Sequence, residues 1–244
     1  MLGLVVGSGF ESFELLEAQT VTVQTPFGKA SFDLGFCQGQ KIALLHRHGK
    51  DHRLAPHQIP YKAQMWALKQ SGVTDVIALG SVGGMAAENA PGHFTLADQI
   101  IDYTAGREST YWGEVNMPCQ HIDFTHPFDE SLRQKVLDAA HSLKIFVYNR
   151  GTYGCTQGPR LETAAEVKRM IMDGCDMVGM TAMPEAALAR ELGIRYALLC
   201  FSVNWAAGLV DEKLDFELIK TSMDRSVQTL VRLLNEVIRQ NQFV

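Results

Sequence analysis

Short apolar runs alternate with segments of helical periodicity along almost the whole chain. Leu2–Val6 is an apolar run that ends in Gly7-Ser8-Gly9, the pattern of a buried strand closed by a tight turn. Val21–Thr25 and Ala30–Phe36 flank Pro26-Phe27-Gly28 and predict a hairpin. Lys41–His46 is a further strand, and it delivers Arg47-His48-Gly49. Tyr61–Gln70, with Met65, Trp66 and Leu68, reads as a helix stopped by Gly72. Val76–Leu79 is a buried strand, and Gly80-Ser81-Val82-Gly83-Gly84 reads as a second Gly-rich loop at a strand end.

Phe94–Asp102 predicts one or two strands, and Tyr103–Cys119 is polar and loop-like. His121–Phe128 mixes aromatics with histidines in an irregular segment. Exposed aromatics in such a loop mark a subunit contact or a lid, or they fold back onto the domain. Asp129–Leu143 reads as a helix and Ile145–Tyr148 as a strand. The stretch Thr156–Met183 then combines a turn at Gly158-Pro159, a helix from Leu161 stopped by Gly174, a strand at Met177-Val178 and a loop at Gly179-Met180-Thr181. Pro184 opens the next helix, with Glu185 in its first turn as a helix-dipole partner. Tyr196–Ser202 is the last buried strand and ends at Val203-Asn204-Trp205, and a long amphipathic helix from Leu214 closes the chain. The alternation of strands and helices predicts one α/β domain over residues 1–244 with a central sheet.

Composition narrows the function. Of the 244 residues 46% are hydrophobic and 20% charged, which suits a globular protein. A net charge of -5 without a run of Lys or Arg gives no electrostatic support to a nucleic-acid or membrane-surface role. The five cysteines fit no disulfide or zinc framework. With no basic, apolar leader pattern at Met1–Gly9, free thiols in a cytoplasmic protein are the expectation.

The candidate chemistry gathers at strand ends, where an α/β sheet presents its ligand-binding groups. Glu162, Met180 and Thr181 offer a carboxylate, a thioether and a hydroxyl to one crevice. The two Gly-rich loops offer backbone N–H groups and the Ser8 and Ser81 hydroxyls. Arg47 adds a planar donor fork suited to an oxyanion. The first loop lacks the third glycine of a dinucleotide site. His46, His48, His52 and His57 cluster in sequence, so a metal-dependent hydrolase using His46 and His48 is an alternative, although further ligands are needed.

These pieces, in order, resemble the trimeric purine nucleoside phosphorylases and 5′-methylthioadenosine phosphorylases. The resemblance is carried by Gly7-Ser8-Gly9, Thr25-Pro26-Phe27-Gly28, Arg47-His48-Gly49, Tyr61-x-Ala63-x-x-Trp66-Ala67-Leu68-Lys69, Gly83-Gly84, Gly158-Pro159-Arg160, Val178-Gly179-Met180-Thr181 and Pro184-Glu185. It implies a nucleoside phosphorylase-like domain with a central twisted mixed β-sheet flanked by helices. It also implies that phosphate displaces a purine from C1′ of a ribosyl group, with no metal and no organic cofactor. Ser8, Arg47, His48, Gly80, Ser81 and Thr181 match phosphate-binding positions. Met180 matches the residue packed on the ribose, Leu161 one that packs on the base, and Asn204, Trp205 and Ala206 positions at the purine. The resemblance further implies a homotrimer in which a neighbouring subunit closes the 5′ end, with His121 in the matching segment. Ser8 stands where thiopurine-nucleoside relatives usually carry Thr, Gly80-Ser81 where a polar-Ala pair is usual, and Leu161 where Phe is usual.

Chemistry then chooses among bases. A 6-oxopurine carries a donor at N1–H and acceptors at O6 and N7. Ionised Glu162 only accepts, and the Asn204 amide donates. The adenosine-type relatives carry Asp at the positions of Asn204 and Ala206, and both acids are missing here. Hypoxanthine is therefore the expected leaving base, with Glu162 and Asn204 as catalytic residues. No histidine follows His141, whereas relatives that take unmodified nucleosides use a C-terminal histidine for the 5′-hydroxyl. Leu214 and Leu218 offer apolar groups instead, which suits a 5′-methylthio group. S-methyl-5′-thioinosine is the expected substrate. Inosine or guanosine phosphorolysis and methylthioadenosine phosphorolysis remain alternatives, as does a non-catalytic nucleoside-binding module.

Overall fold

The computed structural model describes residues 1–7, 10, 13–113, 121–210 and 216–243, and the side chains of the closing helix from Met223 onward. Strand β1 (Leu2–Val6) is buried along its whole length, as an apolar run must be when both faces of its sheet are covered. It pairs in parallel with β4 (Gln40–His46) and β5 (Asp75–Gly84). The other strands are β2 (Leu16–Thr25), β3 (Gly28–Cys37), β6 (Phe94–Leu96), β7 (Gln99–Asp102), β8 (Thr152–Cys155), β9 (Met177–Gly179) and β10 (Arg195–Trp205). Among the described residues they form one ten-stranded sheet in the order β2-β3-β4-β1-β5-β9-β8-β7, with β10 and β6 branching from β5. The sheet is mixed: β2·β3, β3·β4, β5·β9 and β6·β10 are antiparallel, and the remaining pairs are parallel.

Helices cover both faces. Met65 and Leu68 of α1 (Tyr61–Gln70) and Leu188 of α4 (Ala182–Glu191) join one apolar core. Leu132 and Val136 of α2 (Glu130–Ser142), with Leu230 and Leu234 of α5 (Phe216–Gln240), join the other. α3 (Ala164–Met172) packs Val167 and Met170 over the β9 end of the sheet. Its start is fixed by a reciprocal cap between Thr163 and Glu166, worth about 1 kcal/mol. Leu161 thus precedes the helix and is 46% exposed, free of the α3 core. Among the described residues no helix is long and apolar enough to cross a membrane.

Two further expectations change. Gly80–Gly84 is not a loop but the second half of β5, paired with β10 from Cys200↔Gly80 to Trp205↔Gly84. The glycines reflect close packing: a Cβ on Gly84 would lie 1.7 Å from the Asn89 carbonyl oxygen. Ile145–Tyr148 forms no strand; Tyr148 makes a single bridge to Thr95, and Phe146 is 71% exposed. The strand lies later, at Thr152–Cys155, where only Tyr153 is large and no apolar run announces it. The aromatics of His121–Phe128 fold back: Phe128 is buried against Tyr196, and Phe124 packs on the core. Leu214 lies outside the described residues, and the described part of the closing helix is Phe216–Gln240.

Candidate active site

The ends of five strands converge on one cavity of about 530 Å³. β1 runs out at Gly7, β4 at Arg47 and His48, β9 at Met180 and Thr181, and β10 at Asn204. β5 contributes in a different way. Its pairing with β1 stops at Val5↔Ala78, so from Leu79 its edge on that side has no β1 partner, and Leu79, Gly80 and Ser81 line the cavity.

Arg47 is 1% exposed, and its charge is met by Glu185, which is fully buried. Nε and Nη2 of Arg47 donate to the two carboxylate oxygens at 2.6 and 2.9 Å, and Nη1 donates to the Leu79 carbonyl at 3.1 Å. The Tyr196 hydroxyl donates to the same carboxylate at 2.7 Å. Burial alone would lower the guanidinium pKa; Glu185 more than offsets this and holds it above its ordinary value. Burial, and then Glu185, push the Tyr196 phenol well up, so it stays a neutral donor. Glu185 is therefore the counter-ion of Arg47, not a helix-dipole partner. What Arg47 brings to the cavity is a fixed set of N–H donors on a neutralised pair. Its Nη1 lies 3.4 Å, and His48 Nε2 4.0 Å, from the point that a side chain on Gly7 would occupy.

His48 is 8% exposed, and its Nδ1 lies 2.7 Å from the Leu54 carbonyl. A carbonyl only accepts, so Nδ1 carries the proton and Nε2 of the neutral ring is an acceptor. Burial is the main cause that depresses the His48 pKa, to about 4. Thr181 gives its backbone N–H to the Tyr153 hydroxyl at 3.3 Å, its side chain also reaches that phenol, and it lines the cavity.

At the other end stand Leu161, Glu162, Asn204 and Ala206. Glu162 Oε1 accepts from the Thr156 hydroxyl at 2.6 Å. That bond sets the carboxylate orientation and leaves Oε2 for a donor. Asn204 Nδ2 donates to the Trp205 carbonyl at 2.6 Å, and its amide has a second N–H. Ala206 is buried in the apolar cluster of Val167, Met170 and Val178. Met180 is fixed from the side by Gly158: φ there is +57°, and a Cβ would lie 2.5 Å from the Met180 sulfur.

The structure thus brings Arg47, His48, Gly80, Ser81, Leu161, Glu162, Met180, Thr181, Asn204 and Ala206 into one cavity. Trp205 and His121 are not among its lining residues; His121 packs edge-on against Trp112 at 5.2 Å between ring centroids. Ser8 and the Leu218 side chain lie outside the described residues. Sequence reasoning missed the rim formed by His52, Leu54 and Pro56. It also missed the Glu185–Tyr196 support, for which Pro184-Glu185 after the strand was the available signal. The hydrolase alternative finds no donor set: among the described residues no group of three or more His, Cys, Asp or Glu side chains is placed to hold a metal.

The chain is similar to known proteins over nearly its whole length. The model of the phosphorylase superfamily matches residues 1–239. A probable S-methyl-5′-thioinosine phosphorylase of Xanthomonas campestris pv. campestris is 43% identical over 242 residues, covering 98% of this chain and 97% of that protein. A 6-oxopurine nucleoside phosphorylase of Pyrococcus furiosus is 40% identical over 238 residues, covering 96% and 90%. Among solved structures, methylthioadenosine phosphorylase from Schistosoma mansoni in complex with adenine superposes with a TM-score of 0.93 at 29% identity, covering 98% of this chain and 91% of that one. A family match over nearly the whole length, with the strand-end groups gathered in one cavity, places this chain in the phosphorylase superfamily.

Proposed function

We propose that the protein catalyses phosphorolysis of S-methyl-5′-thioinosine to hypoxanthine and 5-methylthioribose 1-phosphate, a purine-salvage pentosyl transfer. The observation that carries the reading is the two-ended cavity, with oxyanion donors at Arg47, Ser81 and Thr181 and an acceptor–donor pair at Glu162 and Asn204. An oxygen of phosphate attacks C1′ as the C1′–N9 bond breaks, and the bonding electron pair departs with the purine. Arg47 and the Thr181 hydroxyl hold the phosphate oxygens. His48 Nε2, an acceptor in the tautomer that the Leu54 carbonyl selects, accepts a hydrogen bond from the P–OH of hydrogen phosphate. Met180 packs on the ribose. Charge builds on N7 and O6 of the departing base, so the Asn204 amide aimed there is worth more in the transition state than in the ground state. Glu162 anchors N1–H. A 6-aminopurine would set its N1 lone pair against this carboxylate, and each mispaired buried group costs about 1–3 kcal/mol.

Phosphate is a co-substrate, and the reaction calls for no metal or organic cofactor. The methylthio preference rests on the missing C-terminal histidine. The subunit reading, a homotrimer whose neighbour closes the 5′ end, is supported by the exposed Trp112–His121 pair standing outside its own cavity. Light scattering behind a sizing column checks it. The function itself is tested by base release with and without phosphate. Release should depend on phosphate and yield a sugar 1-phosphate; equal release in phosphate-free buffer means hydrolysis and sinks the proposal.

A further inference from the structure

Outside the cavity, one side chain bonds to two of the segments that build it and reaches a third through Tyr61. Arg107 sits in the segment after β7, which has no regular structure. Its Nε donates to the Gln157 side-chain oxygen at 3.1 Å, and its Nη2 to the Thr156 and Gln157 carbonyls at 3.2 and 2.8 Å. Its Nη1 donates to the Met180 carbonyl at 2.9 Å, to the Met183 carbonyl and to the Tyr61 hydroxyl at 3.3 Å. Six acceptors thus share five N–H groups. The Tyr61 hydroxyl passes the link on, donating to the Pro56 carbonyl at 3.0 Å.

Those acceptors adjoin three parts of the cavity wall, two directly and the third through Tyr61. Thr156 and Gln157 precede Leu161 and Glu162, and the Thr156 hydroxyl holds Glu162. Met180 and Met183 bracket Thr181. Pro56 lies on the rim beside Leu54, whose carbonyl sets the His48 tautomer. The first two arms already touch through the Thr156 N–H and the Gly179 carbonyl at 2.8 Å. Their bases are also joined by the β8·β9 pairing and by the Met183 N–H to the Cys155 sulfur at 3.3 Å. The planar fork of Arg107 adds the link beyond those strands, to the Gln157 and Met180 carbonyls, and fixes the spacing and angle there. Lysine offers one point charge in place of the fork.

We propose that Arg107 is a positioning residue. It sets the distance between the base-reading arm, residues 156–162, and the arm that carries Met180 and Thr181, and so holds nucleoside and phosphate in attacking register. The role follows from the proposed phosphorolysis, because only a two-substrate reaction needs those arms held to a fixed separation. Misplacing a reacting pair by about 1 Å can cost on the order of a hundredfold in rate.

The test uses full-length Arg107→Ala and Arg107→Lys. At 25 °C, with native circular dichroism, Arg107→Ala should lose about a hundredfold in kcat and change either KM by only a few-fold. Added guanidinium ion at millimolar concentration should restore kcat saturably, and equal sodium chloride should not. Arg107→Lys should fall between wild type and Arg107→Ala. A second readout is independent of any substrate. Hydrogen exchange at the amides of Thr156, Thr181 and Met183, all bonded in the structure, should accelerate together in both variants. A residue that is only structural would lower the melting temperature and leave kcat of the folded enzyme within about threefold, which overturns the proposal. If Arg107→Ala does not fold, Arg107→Lys with unchanged kcat and unchanged exchange overturns it equally. If the wild type phosphorolyses no nucleoside, the functional reading fails, and exchange alone decides whether Arg107 couples the arms.

Discussion

The two ends of the cavity, the proposed phosphate end and the proposed base end, are built differently. At the phosphate end, Arg47 is 1% exposed, its counter-ion Glu185 is fully buried, and Tyr196 and the Leu79 carbonyl complete the set. At the base end, Leu161 is 46% exposed and Glu162 is steered by the one hydroxyl of Thr156. The first end is over-determined and its parts sit in the sheet core. The second hangs on the turn before α3. The difference teaches where this fold stores reaction and where it stores preference. Groups proposed to meet phosphate are locked by burial, so a change there costs the fold. Glu162, proposed to meet the base, is held by few contacts, so a change there costs activity and substrate choice more than stability.

The largest expected effect breaks the locked end. Glu185→Ala leaves the Arg47 charge buried and unpaired, and should cost about 3–5 kcal/mol of stability. Urea unfolding measures it; a loss under about 1 kcal/mol would mean that the pair is not the lock described here. Tyr196→Phe removes one donor from the same carboxylate and should cost less, about 1–3 kcal/mol.

The next experiment addresses the open end. Glu162→Ala should lower kcat/KM on methylthioinosine ten- to a hundredfold, about 1–3 kcal/mol. Being half-buried with one hydrogen bond, to Thr156, it should change unfolding free energy by no more than about 1 kcal/mol. Asn204→Asp should lower activity on methylthioinosine and shift the ratio toward methylthioadenosine, because a protonated Asp can donate to N7. An unchanged ratio would place base reading elsewhere. If Glu162→Ala destabilised the protein as much as Glu185→Ala does, the contrast between the ends would be lost.

Much of this was legible in the sequence, for identifiable reasons. The strands β1, β4 and β10 are apolar runs that stop at chemistry-bearing residues, and Arg47, His48, Thr181 and Asn204 do reach one cavity. Glu185 was legible as a helix-start acid but not as a counter-ion. That role exists only because the end of β4 and the start of α4 meet across 138 residues of chain. Gly80–Gly84 misled because glycines read as a turn, whereas here they let β5 pass close to Asn89. β8 was invisible because Thr152–Cys155 holds a single large apolar side chain. Trp205 was expected at the base, but at the tip of β10 the cavity takes Asn204 and Ala206 on either side of it.

A smaller effect concerns pH at the locked end. His48 is pushed down to about 4 by burial, below its unfolded value of about 6.5. Between these values the unfolded chain binds the extra proton and the folded one does not, so stability contributed above about 6.5 is lost as pH falls toward 4. The melting temperature of wild type should therefore fall more from pH 7 to pH 5 than that of His48→Gln. A smaller fall in wild type would contradict the buried neutral ring. The smallest effect is at the open end: Leu161→Phe, which adds a ring where Leu161 is exposed, should change kcat/KM by less than about tenfold and leave stability within about 0.5 kcal/mol.

The central claim is that one rigid phosphate end serves a base end tuned to 6-oxopurines with a methylthio sugar. The most direct measurement is kcat/KM at saturating phosphate for methylthioinosine, inosine and methylthioadenosine, side by side on the wild-type protein. The account predicts methylthioinosine highest, with each of the others lower by about tenfold or more, the equivalent of 1–3 kcal/mol for one lost methylthio contact or one mispaired base edge. An equal or higher value for inosine would contradict the methylthio preference, and an equal or higher value for methylthioadenosine would contradict the reading of Glu162 and Asn204.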